Sequence, residues 1–269
     1  EYFMTYFKVA VLASGSKGNA TLIQAGEKFF LIDMGLSCRE LNKRMKTLGV
    51  APEELQAIFI THEHSDHIKG LETFTKKYSV PIYSSEATWI SILQRLTEIR
   101  RGNLYAMRGE ITLGEVKITN FSIPHDARDP HGYYFTGPAG EKCTYVTDTG
   151  FVTQEVFKAV EGAETLILET NHDVKMLEQG PYPYELKRRI LSTLGHLSNE
   201  SAGELLNRLK ILPSQVVLAH LSQENNRPEL ALATVKNILA GSGKETNFLV
   251  ASQDEVVGNI TRDEQLKIF

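Results

Sequence analysis

The chain has 269 residues, 42 % of them hydrophobic, and a formal net charge of −4 at pH 7. That length buries a sizeable core and fits one large α/β domain or two small ones, and the mild acidity argues against a non-specific grip on nucleic acid by overall charge. No apolar run approaches the roughly 20 residues that span a bilayer, and no charged leader precedes an apolar stretch, so a cytoplasmic protein without a membrane partner is expected. Cys38 and Cys143 are far apart and match no metal or redox spacing, which leaves them as free thiols. Glu1-Tyr2-Phe3 ahead of Met4 read as an expression remnant, and a single domain is expected over 4–269.

Taken in order, Phe7 to Ala13 and Ala20 to Ala25 read as two strands joined by Ser14-Gly15-Ser16-Lys17-Gly18-Asn19. That loop lacks the G-K-[ST] ending of a P-loop, so no nucleotide cofactor is expected; it is either a plain turn or a substrate-facing loop. A third strand, Lys28 to Asp33, ends in Asp33-Met34-Gly35. Ser37 then opens a helix as N-cap, with Glu40 completing a capping box and Gly49 ending it.

The apolar run Ala57-Ile58-Phe59-Ile60-Thr61 reads as a buried strand, and it ends in His62-Glu63-His64-Ser65-Asp66-His67. Three imidazoles and a carboxylate fall within six residues. His62 and His64 are two apart, so an extended exit leans both the same way and lets them share one ion. Asp66 and His67 lie past the bend and reach a second ion beside it. Imidazole suits Zn, Mn or Fe, and a carboxylate adds anionic charge.

Next, Ile68, Leu71, Phe74 and Tyr78 recur at helical spacing, Pro81 to Ser84 is a short strand, and Trp89, Ile92, Leu93 and Leu96 form a core-facing helical stripe. From Asn103 to Asp148 the pattern alternates, with Val116 to Ile123, Gly132 to Thr136 and Cys143 to Thr147 the clearest strands and Gly137-Pro138-Ala139-Gly140 a hairpin signal. Thr165 to Thr170 is a strand, Pro183 to Leu194 and Ser198 to Ile211 are helices, Val216 to Ala219 is a strand ending at His220, and Pro228 opens a helix to Ala240. There is no tandem repeat and no linker long enough to divide domains. The expected fold class is α/β, a four-layered sandwich of two mixed β-sheets packed face to face with helices outside. Asp33, His62, His125, Asp148 and His220 each close a predicted strand, so they can converge at one sheet edge. His131 lies close to His125 and rivals it, but of the two only His125 directly terminates its strand.

At these five points the sequence resembles the metallo-β-lactamase superfamily, over nearly the whole chain. The resemblance implies that His62, His64 and His125 bind one divalent ion, that Asp66, His67 and His220 bind a second, and that Asp148 bridges them. It also implies that Asp33 orients a ligand histidine and is not itself a ligand. Leu168-Glu169-Thr170-Asn171, Gly195-His196-Leu197-Ser198 and Leu218-Ala219-His220-Leu221-Ser222 are similar to the tail of RNase Z and PhnP-type phosphodiesterases. There the equivalent of His196 assists phosphodiester cleavage; a helix cap is its other reading. The opening Ser14-Gly15-Ser16-x-Gly18-Asn19, with Gly195-His196-Leu197-Ser198-Asn199 and His220-Leu221-Ser222-x-Glu224-Asn225-Asn226, most resembles the YycJ (WalJ) group of 5′→3′ exonucleases on double-stranded DNA.

The function this implies is a phosphodiesterase with two divalent ions per chain (Zn, Mn or Fe), DNA as partner, and Asp66 and His196 in catalytic roles. Ser14, Ser16, Asn19, Lys187, Arg188 and Arg189 are the candidate substrate contacts. A small-molecule hydrolase acting on a cyclic phosphodiester, lactone or thioester shares the same metal core, and a metal-binding regulatory protein without turnover is the remaining reading.

Overall fold

The computed structural model describes residues 6–261; the three residues ahead of Met4 lie outside that range. Its first half supplies six strands of one seven-stranded sheet. Strands β1 (Phe7–Ala13), β2 (Ala20–Ala25) and β3 (Lys28–Ile32) are antiparallel, then α1 (Cys38–Thr47) crosses to β4 (Leu55–Phe59), which runs parallel to β3. Short helices α2 (Ser65–Ile68) and α3 (Leu71–Lys77) lead to β5 (Ile82–Ser84), and α4 (Glu86–Arg95) leads to β6 (Leu104–Ala106), both strands again parallel. The single helix expected over Ile68 to Tyr78 is broken at Gly70, whose N–H donates to the Met34 carbonyl (2.9 Å).

The second half builds the other seven-stranded sheet. Strands β7 (Glu110–Leu113), β8 (Val116–Ser122), β9 (His131–Thr136) and β10 (Lys142–Val146) form an antiparallel meander, with the expected hairpin between β9 and β10. Helix α5 (Gln154–Val160) then leads to β11 (Thr165–Glu169). Helices α6 (Val174–Gln179), α7 (Tyr184–Ile190) and α8 (Asn199–Arg208) lead to β12 (Gln215–Ala219), and α9 (Pro228–Leu239) to β13 (Asn247–Val250). From β10 to β13 neighbouring strands are parallel. Strand β14 (Val257–Gly258) returns to pair with β1 in the first sheet. The sequence alone does not separate α5, α6, β6, β7, β13 or β14: each is short.

Alternation explains the layers. In β1, Phe7, Val9 and Val11 enter the core between the sheets, where Phe30, Phe59, Tyr133, Phe135 and Ile167 meet them. Ala10 and Leu12 face outward against α1 and α3 residues such as Leu41, Met45 and Phe74. The other sheet repeats the scheme, with Val146, Leu166 and Leu218 packed on α5, α8 and α9 residues. Strands buried on both faces read as near-continuous apolar runs, which is why they were visible in the sequence. At α1, Ser37 Oγ accepts the Glu40 N–H (3.2 Å) as expected of an N-cap, but the other half of the capping box is absent. The Glu40 carboxylate instead accepts from Arg44 Nε (2.9 Å), a charge-assisted bond one turn along. No helix among the described residues is long and apolar enough to cross a membrane.

Candidate metal centre

The carboxyl ends of β3, β4, β8, β10, β11 and β12 meet at one edge of the sandwich. Asp33 follows β3 directly, His62 and His64 lie on the exit of β4, and Asp66 and His67 sit in the first turn of α2. His125, Asp148 and His220 lie within three residues of the ends of β8, β10 and β12. The nitrogens of His62, His64 and His125 lie within 4.8 Å of one another, as do ligand atoms of Asp66, His67 and His220. Asp148 lies between the two sets: its carboxylate is 3.4 Å from His67 Nε2, 3.5 Å from His220 Nε2 and 3.9 Å from His125 Nε2. His131, the rival of His125, bonds the Asp129 carbonyl through Nδ1 and lines a separate surface hollow with Ser85 and Arg108.

His62, His67 and His125 are each aimed by the nitrogen they turn away from the centre. His67 Nδ1–H donates to Asp33 Oδ2 (2.7 Å), His62 Nδ1 meets Thr61 Oγ1 (3.0 Å), and His125 Nδ1–H donates to the Gly195 carbonyl (3.2 Å). Thr61 ties the first two together, because its backbone N–H and its hydroxyl both donate to Asp33. Asp33 is fully buried behind His67. Glu169, the last residue of β11, is also fully buried, and its Oε1 accepts from both His220 Nδ1 (2.9 Å) and His196 Nδ1 (2.8 Å). Its Oε2 accepts the Thr149 and Leu197 N–H groups (2.8 and 3.1 Å), so both oxygens are filled.

The charges follow from this arrangement. Burial pushes the His62 imidazole down, and the neighbouring imidazoles push it further. Burial also opposes charge on His220, but Asp148, Asp66 and Glu169 outweigh it and hold the ring at about 10. In the same way burial would raise Glu169, yet the charge of His196, and the hydrogen bonds from His196 and His220, keep it below the ordinary carboxylate range. Burial raises Asp33 on balance, despite His67 and Thr61.

His62 Nε2, His220 Nε2 and Asp148 Oδ2 are buried and have no hydrogen-bond partner in the protein. A buried polar atom left so costs about 1–3 kcal/mol. Three of them converging among imidazoles and carboxylates is what a divalent cation would satisfy, so the residues present fit a metal site.

The loop between β1 and β2 turns inward at two of the expected substrate contacts. Asn19 is 1 % exposed, and its Nδ2 donates to the Gly15 carbonyl (3.0 Å) and to Asp66 Oδ2 (3.2 Å). Ser14 is buried and its Oγ accepts the His220 N–H (2.7 Å). Both hold candidate ligands in place and neither faces solvent; only Ser16 of that loop lines the cleft. Of the basic triplet, Lys187 donates to the Glu178 carbonyl, Arg188 lies over the Tyr184 ring (5.7 Å), and Arg189 alone lines the cleft. His196 is on the cleft wall, not a helix cap; Ser198 caps α8, its Oγ accepting the Ser201 N–H.

Residues 28–221 match the profile described as the Beta-lactamase superfamily domain. The chain belongs to this superfamily. Within it, the chain is 39 % identical over 240 residues to exodeoxyribonuclease WalJ of Streptococcus pneumoniae serotype 2, an alignment covering 87 % of this chain and 88 % of that protein. It is 37 % identical over 237 residues to exodeoxyribonuclease YycJ of Bacillus anthracis, covering 87 % and 89 %. The metallo-beta-lactamase fold protein YhfI from Bacillus subtilis superposes with a TM-score of 0.69 at 20 % identity, covering 94 % of this chain and 98 % of that one, and shares the fold. The two seven-stranded mixed sheets flanked by helices are thus the superfamily's architecture.

The sequence reading missed three residues at this superfamily site. Glu169 ends an apolar strand (Thr165-Leu166-Ile167-Leu168-Glu169) and reads as a strand terminus until β10, β11 and β12 are seen side by side. Thr61 and Asp126 carry no motif signal of their own; their adjacency to His62 and His125 is what points to them.

Proposed function

We propose that this chain is a metal-dependent 5′→3′ exodeoxyribonuclease acting on double-stranded DNA, with two divalent ions (Zn, Mn or Fe) held at the strand-edge site. His62, His64 and His125 would hold one ion and Asp66, His67 and His220 the other, with Asp148 shared. The observation that carries the reading is the group of buried, partnerless atoms His62 Nε2, His220 Nε2 and Asp148 Oδ2 beside an open cleft. DNA as the substrate is supported by the two exodeoxyribonuclease relatives, which align over 87 % of this chain.

Divalent ions bound there would bring the pKa of a coordinated water toward neutrality and offset charge on the phosphodiester. The chain's own groups supply the rest. Asp66, held by Asn19, is placed to accept a hydrogen bond from the attacking water and orient it toward phosphorus. Glu169 fixes His196 through Nδ1, so His196 Nε2 is the nitrogen free to carry a proton on the cleft wall. As the bond from phosphorus to the leaving 3′ oxygen breaks, that proton passes to the oxygen, and the shortened strand keeps a 5′-phosphate. Apolar Leu186 and Ile190 line the same wall.

The test is degradation of a 5′-phosphorylated, end-labelled duplex by metal-stripped protein re-loaded with Mn or Zn, with His64→Ala as control. Progressive shortening that His64→Ala abolishes is the expected result. An intact duplex alongside turnover of a bis-aryl phosphodiester would move the reading to a small-molecule phosphodiesterase, and lactone cleavage alone would remove phosphodiester chemistry altogether.

A further inference from the structure

Helix α7 carries no buried residue, so its place in the fold is not explained by core packing. It has two faces. Leu186, Arg189 and Ile190, at i, i+3 and i+4, line the cleft together with Tyr182 one turn earlier. Tyr184, 71 % exposed, and Arg188 belong to the other side. At its end the Ile190 carbonyl accepts the His196 N–H (3.0 Å), which joins the helix to the proton-carrying side of the site.

Arg189 is the cationic side chain on that cleft wall. Its Nε–H donates to Asp126 Oδ2 (2.5 Å), and Asp126 Oδ1 is 3.4 Å from His125 Nε2. The guanidinium therefore stands two short contacts, through Asp126, from the His62, His64 and His125 set. Asp126 engages one of the five N–H donors and fixes the plane of the group, leaving the Nη donors as a fork that matches phosphate oxygens in a two-bond contact. A terminal phosphate monoester carries up to two negative charges near neutral pH, against one for an internal diester, so such a fork discriminates a chain end from chain interior.

Resting on the nuclease reading above, we propose that Arg189, oriented by Asp126, is the receptor for the 5′-terminal phosphate of the substrate strand. It selects phosphorylated ends and sets where the first scissile bond falls.

The experiment compares two duplexes differing only in a 5′-phosphate or a 5′-hydroxyl, with wild-type protein, Arg189→Ala and Arg189→Lys. Degradation kinetics are measured on each protein, and equilibrium binding of each duplex is measured by anisotropy in a His64→Ala background. The Arg189 side chain is 55 % exposed, so neither substitution threatens folding. The wild type should favour the phosphorylated end by roughly 10- to 100-fold in kcat/KM, mostly through KM. Arg189→Ala should erase that ratio in both kinetics and binding, and Arg189→Lys, with a point charge in place of the fork, should restore part of it. A wild-type protein indifferent to the 5′ end, or an Arg189→Ala variant that keeps the full ratio, overturns the assignment and leaves the nuclease reading standing. A wild type that shortens neither duplex overturns the nuclease reading and this assignment with it.

Discussion

Asp33, Asp148 and His220 adopt φ values of 62°, 57° and 57°, and they are the non-glycine residues with positive φ among the described residues. A side chain in this left-handed region costs about 1–2 kcal/mol, and strain of this kind persists where surroundings fix it, often at functional sites. Here the Asp33 N–H donates to the Phe59 carbonyl and the His220 N–H to Ser14 Oγ, each bond locking the turn that swings the side chain inward. His220→Gly and His220→Ala should both abolish metal-dependent activity. The glycine variant should be the more stable by about 0.5–1 kcal/mol, since it relieves the strain at the expense of added chain entropy; equal melting points would show the turn to be unstrained. Asn19 offers a second check. Asn19→Ala removes buried bonds to Gly15 and Asp66, and should cost about 1–3 kcal/mol and weaken metal affinity roughly 10- to 100-fold, read by chemical denaturation and metal titration. A surface loop residue would change neither. His172 tests burial without a partner: 2 % exposed, with Nδ1 unpartnered, its imidazole is pushed by burial down to about 4. Its folded pKa lies below the ordinary 6.5, so its protonation favours the unfolded chain. Stability should fall by up to about 3 kcal/mol as pH drops from 6.5 to 4, and His172→Phe should flatten that part of the pH–stability curve.

Among elements, the turn that carries Asp66 and His67 is joined to the β3 exit by main-chain bonds as well as by the His67–Asp33 side-chain bond. The Asn19 N–H donates to the Asp66 carbonyl, the Met34 N–H to the His67 carbonyl and the Gly35 N–H to the Asn19 carbonyl, each at 2.8 Å. So close an approach requires glycine at position 35, where a Cβ would lie 1.6 Å from the Asp66 oxygen. Gly35→Ala should therefore cost more than about 3 kcal/mol and lower soluble yield and melting temperature; a variant that melts with the wild type would mean the two segments separate freely. Asp33-x-Gly35 could be read from the sequence as a turn, but not as the contact that seats Asp66. The same limit applies to the ligands. His62, His64, Asp66 and His67 were legible because they crowd behind an apolar run. His125, Asp148 and His220 were legible only through their order along the chain and the resemblance that order carries. Glu169 was not, because a lone carboxylate closing a strand gains meaning only from the strands on either side of it. Helix ends drifted for a local reason: α7 stops at Ile190, where Gly195 folds back so tightly that a Cβ would meet the Ile190 carbonyl at 2.1 Å.

For the whole molecule, the sandwich encloses carboxylates and imidazoles that repel one another or lack partners until a cation joins them. Chelation should accordingly lower thermal stability. Ions present at about a hundred times their dissociation constant contribute about 2.7 kcal/mol, which at 2–4 °C per kcal/mol for a chain of this size is roughly 5–10 °C. Scanning fluorimetry with and without EDTA measures it, and an unchanged melting point would argue against resident ions. Two mixed sheets with helices outside were legible from alternating and helical apolar periods. The short edge strands were not, since β6 and β7 keep partly exposed faces with little periodic signal. The strand order has one more consequence, and it concerns time. Residues that close the site come from β3 at one end and β12 at the other, so His220 is made long after His62 and is seated only when β12 lies beside β11. An ion that needs both sets of ligands would therefore be captured only after both sheets have formed.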